Sequence, residues 1–293
     1  MNQDAQIKDV SDTALWVGVY RCLESRRPDA IFRDPWAEKL VGERGHRIAS
    51  SMKALRFMGW VMALRTAAID RLIESALQEG VDTILNLGAG LDTRPYRMRL
   101  PSHLRWIEID FANMIEHKER ILKGATASCK IERIALDLSR PELYAADFAR
   151  IGKESKKVLI LTEGFLSYMT TEQVADIANA LFSSQSYHFW IQDFHRGGAN
   201  HAFAKRLGKK FAASPYQFKV ADWFAFFEEH GWKAKQIIWR EEEARRLGRR
   251  PPLLFPYFPD LFRAWLPSST REKARTQFGY VLMERAAPIA SSH

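Results

Sequence analysis

The chain has 293 residues, of which 46% are hydrophobic and 27% charged, as is ordinary for a soluble globular protein. No run of about 18 apolar residues occurs and the N-terminal segment is polar, so we expect no membrane span, no secretion and a cytoplasmic location. Two cysteines without ligand spacing argue against a disulfide framework or a metal site, whereas the net charge of +9 would suit anionic partners, from nucleic acid to small carboxylates.

Three helices are predicted ahead of the first strand. The helix over 9–27 has apolar residues at helical spacing, and the helix over 34–44 begins with Asp34 as its cap. A third helix spans 59–78. The three helices carry tryptophans and are not low-complexity, so we expect residues 1–80 to form a helical cap over the carboxyl ends of the strands.

From residue 83 onward, strand patterns alternate with helix patterns, which predicts an α/β fold with parallel strands and crossover helices. Seven strands are predicted, at 83–87, 104–109, 131–136, 157–162, 187–194, 233–239 and 278–284. Helices are predicted at 111–123, 141–150, 171–183, 200–209 and 221–230. We expect a single domain over 1–293, with a core over 81–293 and an apolar, proline-rich, lid-like insertion at about 241–275.

The stretch from Thr83 to Asp110 predicts a nucleoside site. One strand ends in the turn Gly88-Ala89-Gly90, and the next strand ends in Asp110, about twenty residues further on. Glycines permit close approach of a ligand to the backbone, and a carboxylate at the second strand end accepts hydrogen bonds from the two ribose hydroxyls.

The same turn separates two classes of cofactor. A dinucleotide site carries a third glycine at the start of a full helix, whose N-terminus meets the pyrophosphate. Here no third glycine follows, and Asp92 stands where a diphosphate would be crowded. S-adenosylmethionine has no phosphate and carries a cationic ammonium and sulfonium, which the carboxylates of Asp92 and Glu163 would tolerate. The residues therefore favour S-adenosylmethionine over NAD.

Polar residues follow the predicted carboxyl ends of five successive strands, where open α/β sheets bind ligands. They are Gly88, Gly90, Asp92 and Arg94, then Asp110, Asp137, Glu163, and finally Asp193 with His195. Any one of them is also explained as a cap or a solvated turn. Asp137 stays open between two interpretations: a turn residue before a helix capped by Ser139, or an acceptor for the adenine amino group.

The motifs GAGLDTRPYRMRL, IEID and LTEGFLSYMTTEQV resemble those of the leucine carboxyl methyltransferase family, as do the segments RCLESRRPDAIFRDPWAEKL and LRTAAID. The resemblance covers about residues 20 to 195, and the closing strand FGYVLMER is compatible with it. It implies a class I methyltransferase of Rossmann-like α/β fold, with a seven-stranded, mostly parallel sheet, helices on both faces and an N-terminal helical cap. It also implies S-adenosyl-L-methionine as cofactor, S-adenosyl-L-homocysteine as product and no metal.

The resemblance assigns cofactor-binding roles by position. The methionine end falls to Arg65, Gly88, Ala89, Gly90, Asp92 and Arg94, with Arg65 as partner of the cofactor carboxylate. The ribose falls to Asp110 and the adenine to Asp137 and Leu138, and Phe111, Glu163 and Gly164 complete the set. Arg21 matches a basic residue that also reaches the cofactor, but it is equally well an exposed helix residue.

Two departures from the family pattern concern the pocket wall. Phe165 and Ser167 stand where mostly apolar or small residues are expected, which leaves the cofactor motif intact but alters the wall. After residue 195 the resemblance becomes generic, and the choice of acceptor would be encoded there.

The implied reaction is methyl transfer to a carboxylate of a small molecule, such as a polyketide-like secondary metabolite. A carboxylic acid with a pKa of about 4 is already an anion at neutral pH, so positioning and exclusion of water suffice. A hydroxyl acceptor needs a general base, for which His195 is the candidate, unless His195 is a capping or surface histidine. Arg94, Arg97 and Tyr168 are candidates for orienting an anionic acceptor, unless Arg97 simply pairs with a carboxylate.

Other functions remain open. The acceptor could be a protein C-terminus or a carboxyl group on tRNA, as for relatives in this family, although no large added domain for docking a macromolecule is evident. Net charge and two basic clusters would suit a nucleic-acid-binding module, but no aromatic RNA-binding motif accompanies them. The clusters are Lys205-Arg206-Lys209-Lys210 and Arg245-Arg246-Arg249-Arg250. We therefore expect a small anionic acceptor as partner, and the sequence indicates no oligomeric state.

Overall fold

The computed structural model describes residues 10–51, 55–196, 215–252, 272 and 275–286. Its strands are β1 (Thr83–Leu87), β2 (Arg105–Asp110), β3 (Lys130–Ala135), β4 (Val158–Thr162), β5 (Tyr187–His195), β6 (Trp232–Trp239) and β7 (Phe278–Arg285). Its helices are α1 (Val10–Ser25), α2 (Ala37–Ser50), α3 (Leu55–Gln78), α4 (Arg94–Arg97), α5 (Ala112–Ile121), α6 (Pro141–Glu154), α7 (Thr171–Phe182), α8 (Trp223–Glu229) and α9 (Arg240–Arg246). A short 3-10 turn, Leu166–Tyr168, follows β4.

All seven strands form one sheet in the order β3-β2-β1-β4-β5-β7-β6. The five strands from β3 to β5 pair in parallel, whereas β7 runs antiparallel to both β5 and β6. The predicted seven-stranded, mostly parallel α/β sheet is therefore confirmed, and each strand boundary differs from its predicted position by at most one residue. The order reverses between β1 and β4, which is where open α/β sheets bind ligands at the carboxyl edge.

Helices cover both faces of the sheet, because its strands alternate apolar side chains between two separate cores. Leu85 and Leu87 of β1 point into the core that α6, α7 and α8 complete. Ile84, which directly precedes Leu85, points to the opposite face and packs with Leu72 and Ile73 of α3. Burial of all five residues of β1 explains why it carries the consecutive apolar residues Ile84 and Leu85 rather than a strict alternation of apolar and polar residues.

The N-terminal helices pack at the carboxyl edge of the sheet. Buried side chains of α1 and α2 form a third core with the first half of α3, with Leu91 of the glycine turn and with Met114 of α5. The second half of α3, in contrast, lies against β1, β4 and β5 as part of a helix layer. Helix α3 thus joins the N-terminal helices to the sheet, which brings its polar residues to the carboxyl edge of the strands.

Several predicted helices need correction. Helix α2 begins at Ala37 and extends to Ser50, beyond the predicted end at residue 44, and Gly42 interrupts it with φ +54 and ψ −169. Helix α9 occupies residues expected to start the lid-like insertion, while the remainder of that insertion and the predicted helix at 200–209 lie outside the described residues. The N-cap residue of α2 is Trp36 rather than Asp34, but Asp34 Oδ1 accepts hydrogen bonds from the backbone N–H groups of Trp36 and Ala37 at 3.1 and 3.0 Å, at the start of the helix.

Candidate active site

The glycine turn after β1 is fastened to the end of β2. The N–H groups of Gly88 and Ala89 donate to the Ile109 carbonyl at 2.9 and 3.3 Å, and the Gly90 N–H donates to Asp110 Oδ2 at 2.6 Å. The other carboxylate oxygen of Asp110 accepts from the Phe111 N–H at 2.7 Å. Burial raises the pKa of Asp110, while these two hydrogen bonds oppose the shift. The structure thus places the turn and the acidic strand end side by side.

Only glycine fits at position 88, both because of its backbone conformation and because of the adjacent side chain of Phe165. Its φ is +65, a conformation that other residues rarely adopt, and an added Cβ would stand 2.5 Å from Cδ2 of Phe165. Phe165, which follows β4, therefore lies directly against the turn after β1. The side chain that departs from the family pattern forms the wall beside the glycines.

Arg94 lies at the centre of a buried ion network next to the turn. Its side chain is 2% exposed and contacts three carboxylates: Asp70 and Asp92 at 2.7 Å each, and Glu163 at 2.8 Å. Burial disfavours a charged guanidinium, but these carboxylates outweigh that effect and hold the pKa of Arg94 well above its ordinary value. Arg94 was a candidate for orienting the acceptor, yet in this structure its charge is satisfied within the protein.

Arg97, one helical turn after Arg94, also pairs with a carboxylate of the protein. Its two terminal nitrogens make a bidentate pair with Asp70 at 2.7 and 2.8 Å. The simpler of its two interpretations, pairing with a carboxylate, is the one found.

Arg65 of α3 bridges the ends of β4 and β5. Its Nε donates to Glu163 Oε1 at 2.9 Å, and its Nη1 lies 3.5 Å from Asp193 Oδ2. The Gly164 N–H donates to Asp193 Oδ1 at 2.7 Å, which fixes the loop after β4 onto β5. Burial raises the pKa of Glu163, but Arg94 and Arg65 outweigh it and the net shift is downward, whereas burial prevails at Asp193 and raises its pKa.

Across this network the carboxylates outnumber the guanidinium groups. The carboxylates are Asp70, Asp92, Glu163 and Asp193, and the guanidinium groups are those of Arg65, Arg94 and Arg97. With Asp110 nearby, the carboxyl edge at β1 and β4 carries an excess of negative charge that a cationic ligand would balance.

Arg21 holds the glycine turn from the side of the cap. It is 8% exposed, its Nη2 donates to the Leu91 carbonyl, and its Nε lies 3.0 Å from Asp34 Oδ2. The same Asp34 oxygen accepts a hydrogen bond from Thr93 Oγ1 at 2.7 Å. Of the two interpretations of Arg21, an exposed helix residue is therefore wrong.

Asp137 and Leu138 follow β3, next to the end of β2. The Leu136 N–H donates to the Asp110 carbonyl at 3.0 Å, which holds the loop after β3 beside Asp110. Asp137 Oδ1 accepts from the Ser139 N–H at 2.9 Å, and Leu138 is buried. Ser139 does not cap α6, which begins at Pro141 without a side-chain cap.

Tyr168 and His195 stand at neighbouring strand ends. Tyr168 closes the 3-10 turn after β4, and its ring packs edge-on against Tyr216 at 5.2 Å between centroids. Burial raises the pKa of Tyr168, although hydrogen bonds with Thr13 and Tyr216 oppose the shift. His195 is the last residue of β5 rather than a loop residue, and its ring lies 5.7 Å from that of Trp223.

Sequence reasoning missed four residues that shape this edge. Thr13 and Tyr216 contact Tyr168, Asp70 binds two arginines, and Lys118 forms a fully buried ion pair with Glu108 at 2.8 Å. The available signal for Lys118 was its spacing, four residues after Met114 and three after Ile115, which places it on the apolar face of α5. Tyr216 has no such local pattern.

The second basic cluster is partly neutralised. Arg246 pairs with Glu243 at 2.7 Å, and Arg249 pairs with Glu24 and, at 3.0 Å, with Asp29. The first cluster, Lys205 to Lys210, lies outside the described residues. In the described ranges no grouping of His, Cys, Asp and Glu suits a metal ion, and no helix there is long and apolar enough to cross a membrane.

Solved structures share this architecture. A DUF574-family protein from Streptomyces avermitilis superposes with a TM-score of 0.56 at 13% identity, covering 92% of this chain and 97% of its own. A predicted methyltransferase from Thermobifida fusca superposes with a TM-score of 0.54 at 10% identity, covering 98% and 97%. At these identities the likeness concerns the fold alone.

The fold and the sequence matches together define an S-adenosyl-L-methionine-dependent methyltransferase. The chain belongs to the leucine carboxyl methyltransferase family, whose sequence model matches residues 14–182. A relative in Rhodococcus jostii, named as a predicted S-adenosyl-L-methionine-dependent methyltransferase, is 30% identical over 280 residues, which is 87% of this chain and 93% of the relative. One in Streptomyces avermitilis with the same description is 28% identical over 247 residues, covering 79% and 86%.

Proposed function

We propose that this methyltransferase acts on the carboxylate of a small molecule, with the donor held between the glycine turn, Asp110 and Glu163. When bound, S-adenosylmethionine supplies a methyl group activated by a sulfonium cation. Its two cationic groups match the surplus of carboxylates at the carboxyl edge of β1 and β4. The backbone of the turn, with φ +65 at Gly88 and +45 at Gly90, leaves no Cβ in the way of a close ligand.

The state of Asp110 supports its role as the ribose partner. Each of its oxygens accepts one backbone N–H, from Gly90 and from Phe111, and an ionised carboxylate oxygen can accept a further hydrogen bond. These two backbone bonds also fix the rotamer of the carboxylate before any ligand arrives. Asp110 is therefore preorganised to receive two hydroxyls.

One observation favours a carboxylate acceptor over a hydroxyl: the carboxylates at this edge are already engaged. Glu163 is paired with Arg65 and Arg94, and Asp92 is paired with Arg94. These arginines hold the pKa values of Glu163 and Asp92 below their ordinary values, so the two carboxylates are weak bases that would not readily remove the proton of a hydroxyl acceptor. An acceptor that is already an anion requires no such step.

The phenol of Tyr168 fits the same chemistry. Burial raises its pKa, so at neutral pH it keeps its proton and serves as a hydrogen-bond donor. A carboxylate acceptor needs donors, and a protonated phenol can supply one without neutralising the nucleophilic oxygen. Tyr168 is thus suited to orient the acceptor rather than to deprotonate it.

The donor assignment is tested by calorimetric titration with S-adenosylhomocysteine. Wild type should release or absorb heat with a single-site isotherm, and Asp110→Ala should weaken binding by at least about tenfold, because two hydrogen bonds to a charged acceptor are lost. Asp147→Ala, which removes a carboxylate paired on the surface with Arg150, is the matched control and should bind like wild type. Absence of binding by the wild type would refute the donor site itself.

The acceptor class is tested by a methyl-transfer screen over small carboxylic acids and phenols, with peptide C-termini and tRNA as further arms and mass detection of the product. We expect methyl esters of small carboxylic acids. Transfer only to phenols, peptides or tRNA would overturn the proposal in favour of that acceptor, and salt-sensitive RNA binding without any transfer would favour a binding module.

His195→Ala separates the two chemistries kinetically. With a carboxylate acceptor, we expect kcat to change less than about threefold, since no base is required. His188→Ala, at the other end of β5, is the control for changes in the strand. A loss of about a hundredfold or more for His195→Ala alone would indicate base catalysis and a hydroxyl acceptor.

A further inference from the structure

The glycine turn is held at a second place, apart from its contact with Asp110. The Leu91 carbonyl accepts a hydrogen bond from Arg21 Nη2, and Thr93 Oγ1 donates to Asp34 Oδ2 at 2.7 Å. Arg21 and Asp34 are themselves paired, since Arg21 Nε lies 3.0 Å from the same Asp34 oxygen. The turn is therefore fastened at one end to β2 and at the other to the N-terminal helices and the loop between them.

Thr93 makes this contact instead of capping its own helix. It is the N-cap residue of α4, where a threonine hydroxyl ordinarily accepts a hydrogen bond from the first turn of the helix. Within α4, which the structure describes in full, the side chain of Thr93 forms no such bond. Its hydroxyl donates instead to a carboxylate 59 residues earlier in the chain, so it serves the contact between the turn and Asp34.

Asp34 contacts two elements at once. Its side chain is 0% exposed, and each carboxylate oxygen has two partners. Oδ1 accepts from the N–H groups of Trp36 and Ala37 at the start of α2. Oδ2 contacts Arg21 and Thr93. An ionised carboxylate has about four acceptor sites, so these partners use its whole capacity and join the start of α2 to the turn.

Helix α1 packs directly on the same turn. An added Cβ at Gly90 would stand 3.3 Å from the Cβ of Ala14, and one at Gly18 would stand 3.5 Å from Cδ1 of Leu91. Ala14, Gly18 and Arg21 are spaced by four and three residues, so they lie on one face of α1. Small residues at two of these positions let the helix approach the turn closely, and a displacement of α1 would therefore be transmitted to the turn.

We propose that Asp34 is a positioning residue for the methyl donor: through Arg21 and Thr93 it holds the glycine turn in the conformation that the donor requires. The inference rests on the proposed function, which places the donor against that turn and Asp110. The Gly90 N–H, which donates to Asp110, directly precedes the residues that are held in this way. Because the carboxylate of Asp34 is fully buried and fully used, it acts through the turn and does not touch the donor.

The first test is calorimetric titration with S-adenosylhomocysteine, at a temperature where circular dichroism shows each variant to be folded. Asp34→Asn keeps one oxygen for the start of α2 but turns an amide NH2 toward the donors of Arg21 and Thr93, so it should weaken binding by about tenfold. Thr93→Val removes only the donated hydroxyl and should weaken binding by about threefold. Thr93→Ser keeps that hydroxyl and should bind within about twofold of wild type.

Glu24→Gln is the matched control. Glu24 is a buried carboxylate of α1 that accepts from the Ile31 N–H at 2.9 Å and pairs with Arg249, neither of which belongs to the turn. The variant should bind S-adenosylhomocysteine like wild type, even where it lowers Tm. This control separates the loss of a buried ion pair in the N-terminal helices from the loss of the contact between Asp34 and the turn.

The second test uses the reciprocity of coupled equilibria. If Asp34 couples α2 to the donor site, bound S-adenosylhomocysteine must stabilise that contact by the factor by which the contact strengthens binding. Backbone amide hydrogen exchange in α2 should therefore slow in wild type when S-adenosylhomocysteine is added, and the slowing should be smaller in Asp34→Asn at equal saturation. A residue that only stabilises the fold would change exchange equally with and without the ligand.

Wild-type affinity in folded Asp34→Asn and Thr93→Val would overturn the role of Asp34. So would an equal loss of affinity in Glu24→Gln, a loss in Thr93→Ser as large as in Thr93→Val, or exchange in α2 that does not respond to the ligand. If Asp34→Asn does not fold, the two Thr93 variants decide. Wild-type binding of S-adenosylhomocysteine together with a negative result leaves the proposed function standing and removes only this inference, whereas absence of wild-type binding removes both.

Discussion

Replacing Arg94 with methionine should destabilise the protein far more than the same change at Arg150. Both arginines contact three carboxylates: Arg94 meets Asp70, Asp92 and Glu163, whereas Arg150 meets a surface set at 2.6 to 3.3 Å. Their side chains differ in exposure, which is 2% for Arg94 and 38% for Arg150. The comparison therefore isolates burial while the number of ion pairs stays fixed.

The magnitude follows from what each change leaves behind. Arg94→Met leaves Asp92 without its arginine partner and leaves Asp70 and Glu163 with one arginine each, and breaking a buried pair in this way costs about 3–5 kcal/mol of unfolding free energy. Arg150→Met leaves its carboxylates in water, where the loss is about 0–1 kcal/mol. For a domain of this size, the difference corresponds to a fall in Tm of roughly 10 °C for the Arg94 variant against about 1–2 °C for the control.

The pH dependence gives an independent check. Despite burial, Arg94 and the other cations hold the pKa values of Asp92 and Glu163 in the folded protein below those in the unfolded chain. The two ionised carboxylates therefore contribute stability at any pH above their pKa values in the unfolded chain. This stability is lost as the pH falls through their pKa values in the folded protein. In Arg94→Met the same buried carboxylates favour their protonated forms, so the loss of unfolding free energy caused by the substitution is smaller at low pH. The gap between wild type and variant should be largest near pH 7.5 and shrink toward pH 5.

Urea unfolding followed by circular dichroism at pH 7.5 and pH 5 measures both effects. Equal free energies of unfolding for the Arg94 and Arg150 variants at pH 7.5 would refute the assignment of Arg94 as the buried centre of the network. So would a gap that widens as the pH falls.

Two further predictions concern stability at the same edge. Gly88→Ala should lower the free energy of unfolding by about 2–4 kcal/mol, since φ is +65 and the added Cβ would stand 2.5 Å from the side chain of Phe165. Gly248→Ala is the control: it has the same φ with open space around it and should cost about 1 kcal/mol. Equal losses in thermal unfolding would show that Phe165 does not contact the turn closely. Lys118→Met should lower the free energy of unfolding by about 3 kcal/mol, because Glu108 stays buried with one cation fewer. Adding Glu108→Gln should restore part of that stability, and a loss below about 1 kcal/mol for Lys118→Met alone would contradict the ion pair.

The strands could be predicted from the sequence because their apolar runs are followed by glycine or acidic residues that mark where each strand ends. Leu87 is followed by glycines, and β2 closes on an acidic residue, so the edge of the sheet is marked in the sequence. Helix ends were harder to predict. Helix α2 is kinked at Gly42, whose backbone is not helical, and the helical residues beyond the kink pack with α1 through Ile48 and Ala49.

The partners of the site residues could not be predicted from spacing. Arg94 binds one carboxylate two residues ahead of it, but its others come from α3 and from the end of β4, which only the fold brings together. Asp34 was predicted to cap α2, and one of its oxygens does accept from the first N–H of that helix, yet its second oxygen also binds Arg21 and Thr93. A local pattern reveals one function of a polar side chain and conceals the contacts that are distant in sequence.

These contacts divide the site into two parts with different constraints. Under the proposed function, the donor side comprises α1, α3, β1, β2 and β4, which fall almost entirely inside the family match at 14–182, and several of its polar groups form buried ion pairs with one another. Substitutions there cost stability as well as binding, which limits how far that side can vary. His195 and Tyr216 lie beyond residue 182, as does Asp193, which joins the network through Arg65. Under the proposed function, we expect a change of acceptor to be accommodated around His195 and Tyr216 while the donor side stays intact, and Tyr216, whose ring contacts that of Tyr168, is where the two parts meet.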